Sequence, residues 1–411
     1  MSDEKNIPAA SYREVYLDYA AATPMDEAVI AAMLPYLGER FANPAAPYAR
    51  AREAKAALED ARARLARCIG AKADAITLTA GATEANNLAF ACVDGPVVTD
   101  AIEHDSVLAC AKAREGVIVG VGPDGRVSPA GVAAAITPRT ELVSVALANG
   151  ELGCIQPIRE IAEVVVAERG RRLLAGDLTP LYLHTDASQA AGTRAINVAS
   201  LGVDLLTLSA AKVYGPKQVG LLWAREGVRL RPLVLGGGQE GGVRSGTQDV
   251  AGAVAFATAL ELAQEHRGEE GFRLQALRDQ MQRDLLDAFP WARVSGLRDN
   301  KRRLPGLLHV SFPCLDARRL VILLERRGVS VGTGSACAAS RMVVSHVLEA
   351  IGLPHEMAQG SLRITLGRPT TEDDVRYATQ AIIDVVRQEQ KRLGLTDEEL
   401  LACVSQRGGG R

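Results

Sequence analysis

A lysine stands directly after an apolar, strand-like run in the segment DLLTLSAAKVYGP, residues 204 to 216. Lys212 follows three small residues and precedes Val-Tyr-Gly-Pro, which predicts a short loop behind a buried strand. Burial favours the neutral form of an amine and frees it as a nucleophile, so Lys212 is a candidate for Schiff-base chemistry. The pattern alone also fits a solvated loop lysine, because most charged side chains are exposed.

An aspartate ends an earlier strand-like run, LYLHTDASQA, at residues 181 to 190. Asp186 comes at the end of this run, and Gln189 follows it. Pyridoxal phosphate needs a carboxylate that keeps its pyridine nitrogen protonated, so that the ring withdraws electrons. An aspartate and a lysine at two strand ends suit this cofactor, although Asp186 also fits as a helix N-cap.

A third segment, AITLTAGATEANN at residues 75 to 87, has the pattern of a strand, a turn of small residues and a helix. Small residues let the backbone approach an anion, and a helix N-terminus offers free N–H groups and the positive end of the helix dipole. The turn from Ala80 to Thr83 is therefore a candidate phosphate cradle.

Strands that alternate with helices must position these groups. Between about residues 75 and 223, apolar runs alternate with helical segments; the runs are ITLT, PVVT, VIVG, ELVSVAL, LYLH, DLLTLS and VGLLWA. This alternation predicts an α/β fold with a mainly parallel seven-stranded sheet and helices on both faces. Helices near 250 to 266 and 270 to 288 then lead into a smaller α+β C-terminal domain. We expect an N-terminal segment at 1–25, a large domain at 26–267, a small domain at 268–403 and a disordered tail at 404–411.

Composition excludes several classes of protein. The 411 residues are 47% apolar with a net charge of -2, as in an ordinary globular chain, and basic residues are interspersed with acidic ones, which disfavours nucleic-acid binding. We see neither a secretory signal nor an apolar run near the ~20 residues that span a membrane. The seven cysteines have no metal-ligand or disulfide spacing, and their odd number favours a reducing compartment. We therefore expect a cytoplasmic protein without a metal.

Seven motifs occur in the order found in cysteine desulfurases: TAGATEANNLAF, EHDSV, HTDASQ, TLSAAKVYGPK, GGGQEGGVRSGT, GTGSAC and SLRITLGR. From about Val15 to Lys391 the chain resembles this family, and most of all its NifS/IscS-like branch. These enzymes belong to the class V aminotransferase group of fold-type I pyridoxal-phosphate enzymes. The resemblance implies that fold, pyridoxal 5′-phosphate as cofactor, a homodimer, and an N-terminal segment packed with the small domain.

The resemblance also implies roles for single residues. Lys212 matches the Schiff-base lysine, Asp186 the partner of the pyridine nitrogen, and His104 the acid/base that stacks on the ring. Without the resemblance, His104 fits better as a surface or helix-cap residue. The remaining cofactor-binding candidates are Gln189 at the ring oxygen, Asn149 as the residue that could compensate for a missing asparagine at position 150, Ala82, Thr83 and Ser209 at the phosphate, and Thr247 donated by the other subunit.

Cys337 decides which chemistry follows. It lies in VGTGSACAASRM, whose glycines and other small residues predict a mobile, exposed loop able to carry a thiolate to a substrate. Its position matches the persulfide-forming cysteine of the family. Arg363, in SLRITLGR, matches the arginine that binds the substrate α-carboxylate, a task suited to a planar guanidinium; a strand salt bridge is the alternative. Asn43 is a further candidate for this carboxylate.

The implied reaction converts L-cysteine to L-alanine. Lys212 moves the α-proton, and the Cys337 thiolate takes the substrate sulfur as a persulfide for an acceptor or scaffold protein, as in iron–sulfur cluster assembly. Two alternatives stay open: a related C–S lyase or selenocysteine lyase, for which Cys337 is dispensable or matters for one substrate alone, and a catalytically weakened protein that binds partners.

Three positions depart from the family pattern. Ala211 and Tyr48 stand where histidines are usual, and Gly150 stands where an asparagine is usual. The resemblance implies that the residues at 211 and 150 belong to the cofactor pocket. Each hydrogen bond lost there to a charged group weakens cofactor binding by ~1.5–3 kcal/mol.

Overall fold

The computed structural model describes residues 13–297, 299–334 and 345–405. The strands are β1 Val15–Tyr16, β2 Ile76–Thr79, β3 Val97–Asp100, β4 Val117–Val119, β5 Leu142–Ser144, β6 Tyr182–Asp186, β7 Leu205–Ser209, β8 Gly220–Ala224, β9 Arg293–Val294, β10 Leu307–Ser311, β11 Val329–Ser330 and β12 Ser361–Thr365. The α-helices are α1 Glu27–Leu37, α2 Ala49–Cys68, α3 Ala82–Ala91, α4 Asp105–Lys112, α5 Pro129–Ala135, α6 Ile158–Leu174, α7 Val198–Leu201, α8 Val250–Ala288, α9 Ala317–Glu325, α10 His346–Ala350, α11 His355–Ala358, α12 Glu372–Leu393 and α13 Asp397–Ser405.

A seven-stranded sheet, in the order β2-β8-β7-β6-β5-β3-β4, forms the centre of the larger part of the fold. The strands from β7 to β4 pair in parallel, and β8 is antiparallel to both of its neighbours. Successive residues face opposite helical layers: Val97 packs with α3 and α4, whereas Val98 packs with α2, α6 and α8. These observations confirm the predicted α/β fold and its mainly parallel sheet.

Two smaller sheets form the second part of the fold. The strands β12, β10 and β9 make an antiparallel sheet, and β1 pairs with β11 in parallel. Val15 and Leu17, from the N-terminal segment, lie in the same buried cluster as Leu285 of α8 and Ile382 of α12. The N-terminal segment therefore packs against the smaller sheets, while the domain boundaries given above stay predictions.

One helix, α8, replaces the two helices predicted at 250–266 and 270–288; it is 39 residues long. Phe256 packs in the core of the large sheet, and Met281 packs in the core of the small sheet. Gly268 lies between them and is exposed. An exposed glycine costs a helix about 1 kcal/mol, and packing at both ends outweighs that cost.

The last helix also differs from the expectation. Because α13 ends at Ser405, the helix continues into the predicted disordered tail, whose residues 406–411 lie outside the described ranges. Within those ranges, no helix is both long and apolar enough to cross a membrane.

Candidate active site

The carboxyl ends of β6 and β7 open at the same edge of the large sheet, because the two strands pair in parallel. Asp186 is the last residue of β6, and Lys212 ends the 3₁₀ turn that follows β7. Ser209, the last residue of β7, is buried beside this turn. The predicted carboxylate, amine and hydroxyl thus meet where open α/β sheets bind ligands.

The N-terminal segment holds the Lys212 amine. Its Nζ donates to the carbonyl oxygens of Ala20 and Ala21, both at 2.7 Å. Burial, assisted by the positive charge of Arg363, lowers the pKa of Lys212 to about 8. At a given pH, the neutral fraction of Lys212 is therefore larger than that of an exposed lysine. The neutral form acts as nucleophile or base.

Asp186 begins a chain of hydrogen bonds that ends at His104. Asp186 Oδ2 accepts from Nδ2 of Asn86 at 2.9 Å, and the same nitrogen donates to Ser106 Oγ at 2.9 Å. Ser106 Oγ lies 2.9 Å from His104 Nδ1. Asn86 is fully buried, so it couples the orientation of the carboxylate to that of the imidazole. Sequence reasoning missed Asn86 and Ser106, although both lie in the motifs quoted above.

His104 is also the N-cap of α4, the local role that the sequence left open. Its Nδ1 accepts from the backbone N–H of Ser106 at 3.1 Å. Because Nδ1 accepts this hydrogen bond it carries no proton, so in the contact between Nδ1 and Ser106 Oγ the hydroxyl is the donor. These contacts make Nδ1 an acceptor and assign the proton of the neutral ring to Nε2. The side chain is exposed, which leaves Nε2 accessible for proton transfer.

Asp186 likewise has a local role besides the predicted one. Its Oδ1 accepts from the backbone N–H of Ser188 at 2.9 Å, which fixes the turn after β6. The two oxygens of the carboxylate are therefore held by two different segments, and its plane is fixed on both sides.

The guanidinium of Arg363 reaches from β12 of the small sheet to the N-terminal segment. Nη2 lies 2.7 Å from Asp18 Oδ1, and Nη1 donates to the Gly150 carbonyl at 3.3 Å. Arg363 is 4% exposed, and its Nε has no hydrogen-bond partner among the described residues. The predicted alternative, a salt bridge, is thus present, yet one N–H remains for a carboxylate. Sequence reasoning missed Asp18, which lies in the segment VYLDYAAATP at residues 15 to 24.

The segment that leads to the cysteine loop pairs with Arg363. The backbones of Gly332 and Arg363 exchange two hydrogen bonds, of 2.7 and 3.0 Å. A Cβ atom on Gly332 would lie 3.1 Å from Nη2 and 3.2 Å from Nε of the arginine, so glycine lets this segment pass close to the guanidinium, whose Nε is buried. Cys337 itself lies outside the described residues.

Gly150 makes room for Gln189. A Cβ atom at Gly150 would lie 2.8 Å from both Cδ and Nε2 of Gln189. Gln189 Nε2 donates to the Ala20 carbonyl at 3.1 Å, the same oxygen that accepts from Lys212. The side chain of Asn149 is instead engaged by backbone groups of its own turn and of a neighbouring loop, at 2.8 to 2.9 Å. Gln189 is therefore the amide side chain that lies beside Lys212.

The candidate phosphate cradle is the start of α3. Gly81, its N-cap, has a φ of 99°, a conformation that favours glycine. Ala82 and Thr83 form the first turn, where backbone N–H groups have no partner within the helix. A Cβ atom on Gly220 would lie 2.7 Å from the Gly81 backbone, so both glycines are needed for the turn to pack on β8.

The contacts of the described residues do not bring Thr247 or Asn43 to Lys212. Thr247 is exposed, in the loop that follows the glycine-rich stretch. Asn43 is also exposed, and its Oδ1 accepts from the backbone N–H of Ala45 at 2.9 Å. Tyr48, one of the three departures, is 55% exposed at the start of α2.

Comparison with known proteins identifies the family. The sequence profile described as aminotransferase class-V matches residues 15–377. The chain belongs to this family. A relative named cysteine desulfurase IscS, from Dictyoglomus turgidum, is 39% identical over 386 residues, which cover 91% of this chain and 95% of the relative. A solved structure described as a NifS-like protein has a TM-score of 0.82 and 31% identity. The match covers 92% of this chain and 100% of the chain in that structure. A second solved structure, described as SspA in complex with cysteine, has a TM-score of 0.70 and 31% identity. The match covers 86% of this chain and 98% of that one.

Membership in this family confirms the predicted fold type and the predicted cofactor, pyridoxal 5′-phosphate. The residues of the site fit this group. Asp186 supplies a carboxylate for a ring nitrogen, Lys212 supplies an amine with a lowered pKa for an aldehyde, and the first turn of α3 supplies N–H donors for a phosphate.

We predict that Asn86→Ala weakens the binding of pyridoxal 5′-phosphate. The substitution removes a buried hydrogen bond to the Asp186 carboxylate, so the dissociation constant should rise about 10- to 100-fold, as measured by fluorescence titration of the cofactor-free protein. Asn87→Ala is the matched control, because Asn87 lies on the same helix but is exposed and donates to the Thr83 carbonyl. Equal affinity of the two variants would contradict the role given to Asn86.

We also predict that uptake of the cofactor by the cofactor-free protein accelerates with pH and levels off above about 8. Only the neutral Lys212 amine captures the aldehyde, and the pKa of Lys212 is lowered to about 8; below it, the rate should rise about tenfold per pH unit. Stopped-flow absorbance measures this rate. Arg363→Gln removes a positive charge and should shift the curve to higher pH. A rate that does not depend on pH in this range would show that Lys212 is not the titrating group.

Proposed function

We propose that the protein is a cysteine desulfurase that converts L-cysteine to L-alanine and passes the sulfur to an acceptor protein. One observation carries the proposal: a lysine amine, the Asp186 carboxylate and the Arg363 guanidinium surround the carboxyl edge of the large sheet. The names of the relatives support it, since the D. turgidum protein is called a cysteine desulfurase and the SspA structure contains cysteine.

Residues at the strand ends would hold the cofactor. Asp186 would pair with the ring nitrogen, and the other contacts would come from Gln189, Asn149, Ala82, Thr83, Ser209 and, across a two-fold axis, Thr247 of the partner subunit. When bound, pyridoxal 5′-phosphate withdraws electrons from the carbon atoms of the amino-acid substrate.

Arg363 binds and orients the substrate. Its unpartnered Nε donates to the α-carboxylate, while the ion pair with Asp18 keeps the guanidinium plane fixed. Asn43 is a second candidate for the same carboxylate. With the carboxylate held, the Cα–H bond is presented to the Lys212 amine, which takes the α-proton, and the Nε2 proton of His104 is accessible for a second transfer.

Cys337 removes the sulfur. Its thiolate attacks the substrate sulfur, an S–S bond forms as the C–S bond breaks, and the bonding pair passes to the carbon skeleton. The carbon skeleton takes up one proton at the carbon that carried the sulfur, regains a proton at the α-carbon and leaves as alanine, and Cys337 keeps the sulfur as a persulfide. A thiol of the acceptor protein then attacks the outer sulfur and releases Cys337. A carrier or scaffold for iron–sulfur clusters is an acceptor of this kind.

A homodimer is part of the proposal. Thr247 is exposed, and Leu235 in the preceding loop is 81% exposed, which supports the burial of this region against a second copy. The odd number of cysteines supports a reducing compartment, the cytoplasm.

We predict that Cys337→Ser abolishes alanine formation from L-cysteine but keeps the visible absorbance of the bound cofactor. The serine hydroxyl is a far weaker nucleophile toward sulfur, so turnover should fall by at least about 100-fold. Alanine, pyruvate, sulfide and persulfide are assayed together. Cys68→Ser, which changes a half-buried thiol on α2, is the matched control. Sustained turnover of L-cysteine to alanine in the Cys337 variant would contradict the persulfide mechanism. Turnover of L-selenocysteine but not of L-cysteine would support a selenocysteine lyase, and turnover of L-cysteine to pyruvate and sulfide would support a C–S lyase. A protein that takes up no cofactor would support a purely partner-binding role.

We predict that Arg363→Lys raises KM for L-cysteine by about tenfold or more, with a smaller change in kcat, because a lysine cannot reproduce the planar donor pair. Cysteamine, which has the amine and thiol but no carboxylate, is the control substrate. Its KM should be the same for both enzymes, and an equal rise for both substrates would mean that Arg363 does not bind the carboxylate.

A further inference from the structure

Two cysteines that have no part in the proposed site meet where the end of α13 approaches the turn after β10. The Sγ atoms of Cys314 and Cys403 lie 3.5 Å apart, although 89 positions separate them in the sequence. Cys314 is exposed and Cys403 is half-buried. Two sulfur atoms at this separation need only a small movement to reach bonding distance.

The backbone around Cys314 is held firmly. Cys314 follows β10, and its N–H donates to the Glu356 carbonyl at 3.1 Å; on either side, Phe312 and Ala317 donate to Gly360 and Gln359 at 3.0 and 2.9 Å. Cys314 has a φ of 64°, which is uncommon for any residue other than glycine. The fold therefore maintains a cysteine where a glycine would fit with less strain.

Cys403 lies near the end of α13, and this helix is anchored at its other end. Asp397 accepts from Trp291 Nε1 at 2.8 Å and from Gln390 Nε2 at 2.7 Å, and Leu400 is buried in the core of the small sheet. Cys403 also lines a cavity of about 330 Å³. The pair thus joins the C-terminal part of α13 to the turn after β10.

The other described cysteines are poorly suited to redox chemistry. Burial raises the pKa of Cys68 to about 11 and that of Cys92 and Cys154 to about 12, and it also raises the pKa of Cys110. Raised pKa values keep these thiols protonated, whereas the thiolate is the reactive form.

We propose that Cys314 and Cys403 form a reversible disulfide bond in the presence of a low-molecular-weight disulfide such as oxidised glutathione. The exposed Cys314 thiolate attacks the small disulfide, forms a mixed disulfide and releases one small thiolate. The Cys403 thiolate then attacks the Cys314 sulfur, the intramolecular S–S bond forms and the second small thiolate leaves. The two protons lost by the cysteines go to the two released thiolates, so two protein thiols are oxidised and one small disulfide is reduced to two thiols. The bond ties α13 to the turn after β10.

The test uses the full-length Cys337→Ser protein, so that the proposed persulfide thiol takes no part. After treatment with oxidised glutathione, thiol titration under denaturing conditions should show the loss of two thiols per chain, and the mass should fall by two hydrogen atoms. Peptide mapping should join the peptides that contain residues 314 and 403. Amide hydrogen exchange in α13 should slow by about tenfold, and a reducing thiol should reverse every change.

Cys314→Gly, which suits the positive φ, and Cys403→Ser should each abolish the intramolecular bond and the protection of α13. Cys68→Ser is the matched control and should retain both. Three results would overturn the proposal: unchanged thiols, glutathione attached to single cysteines without an internal bond, or a disulfide between two chains. None of these results depends on whether the protein desulfurates cysteine.

Discussion

Two cations, Lys212 and Arg363, share one partly buried space with two anions, Asp186 and Asp18. The rest of the site depends on the balance of these four charges. Burial lowers the pKa of Lys212 most, Arg363 lowers it further, and Asp186 and Asp18 raise it. With arginine alone beside it, the pKa of the buried lysine would be lower still, and with the carboxylates alone it would be higher. Burial and this mixture of charges together set the pKa of the amine near 8, within reach of proton transfer at ordinary pH.

This balance requires groups from two sheets, and the N-terminal segment joins them. On β12, Arg363 and Thr365 are two positions apart and so face the same side; the first binds Asp18, and the second accepts from the Ala20 N–H at 2.9 Å. The Ala20 carbonyl then accepts from Lys212 and Gln189 of the large sheet. Through these contacts of the N-terminal segment, the position of the Lys212 amine depends on the position of the small sheet. Helix α8 fixes the two sheets relative to each other over roughly 58 Å.

The sequence predicted the parts of the site that depend on local pattern. Continuous apolar runs predicted the seven strands, and the carboxyl ends of those strands located Asp186 and Lys212. It did not predict the roles of Asn86 and Asp18, because local sequence does not reveal a distant partner. Asn86 lies 100 positions from Asp186, and Asp18 lies 345 positions from Arg363. The continuity of α8 was missed for a related reason, since Gly268 resembles a helix end until the packing on both sides of it is known.

Two of the departures from the family pattern are accommodated by the surrounding structure. Gly150 and Gln189 form a coupled pair, because any side chain at 150 would occupy the space of the Gln189 amide. At Ala211, the backbone carbonyl accepts from the Thr23 hydroxyl at 3.0 Å and from its N–H at 3.2 Å, which fixes the residue next to Lys212 without an imidazole. Both contacts again involve residues 20–23. The Lys212 amine with its lowered pKa and the arginine N–H without a partner among the described residues thus lie in a pocket where other contacts occupy the space around positions 150 and 211.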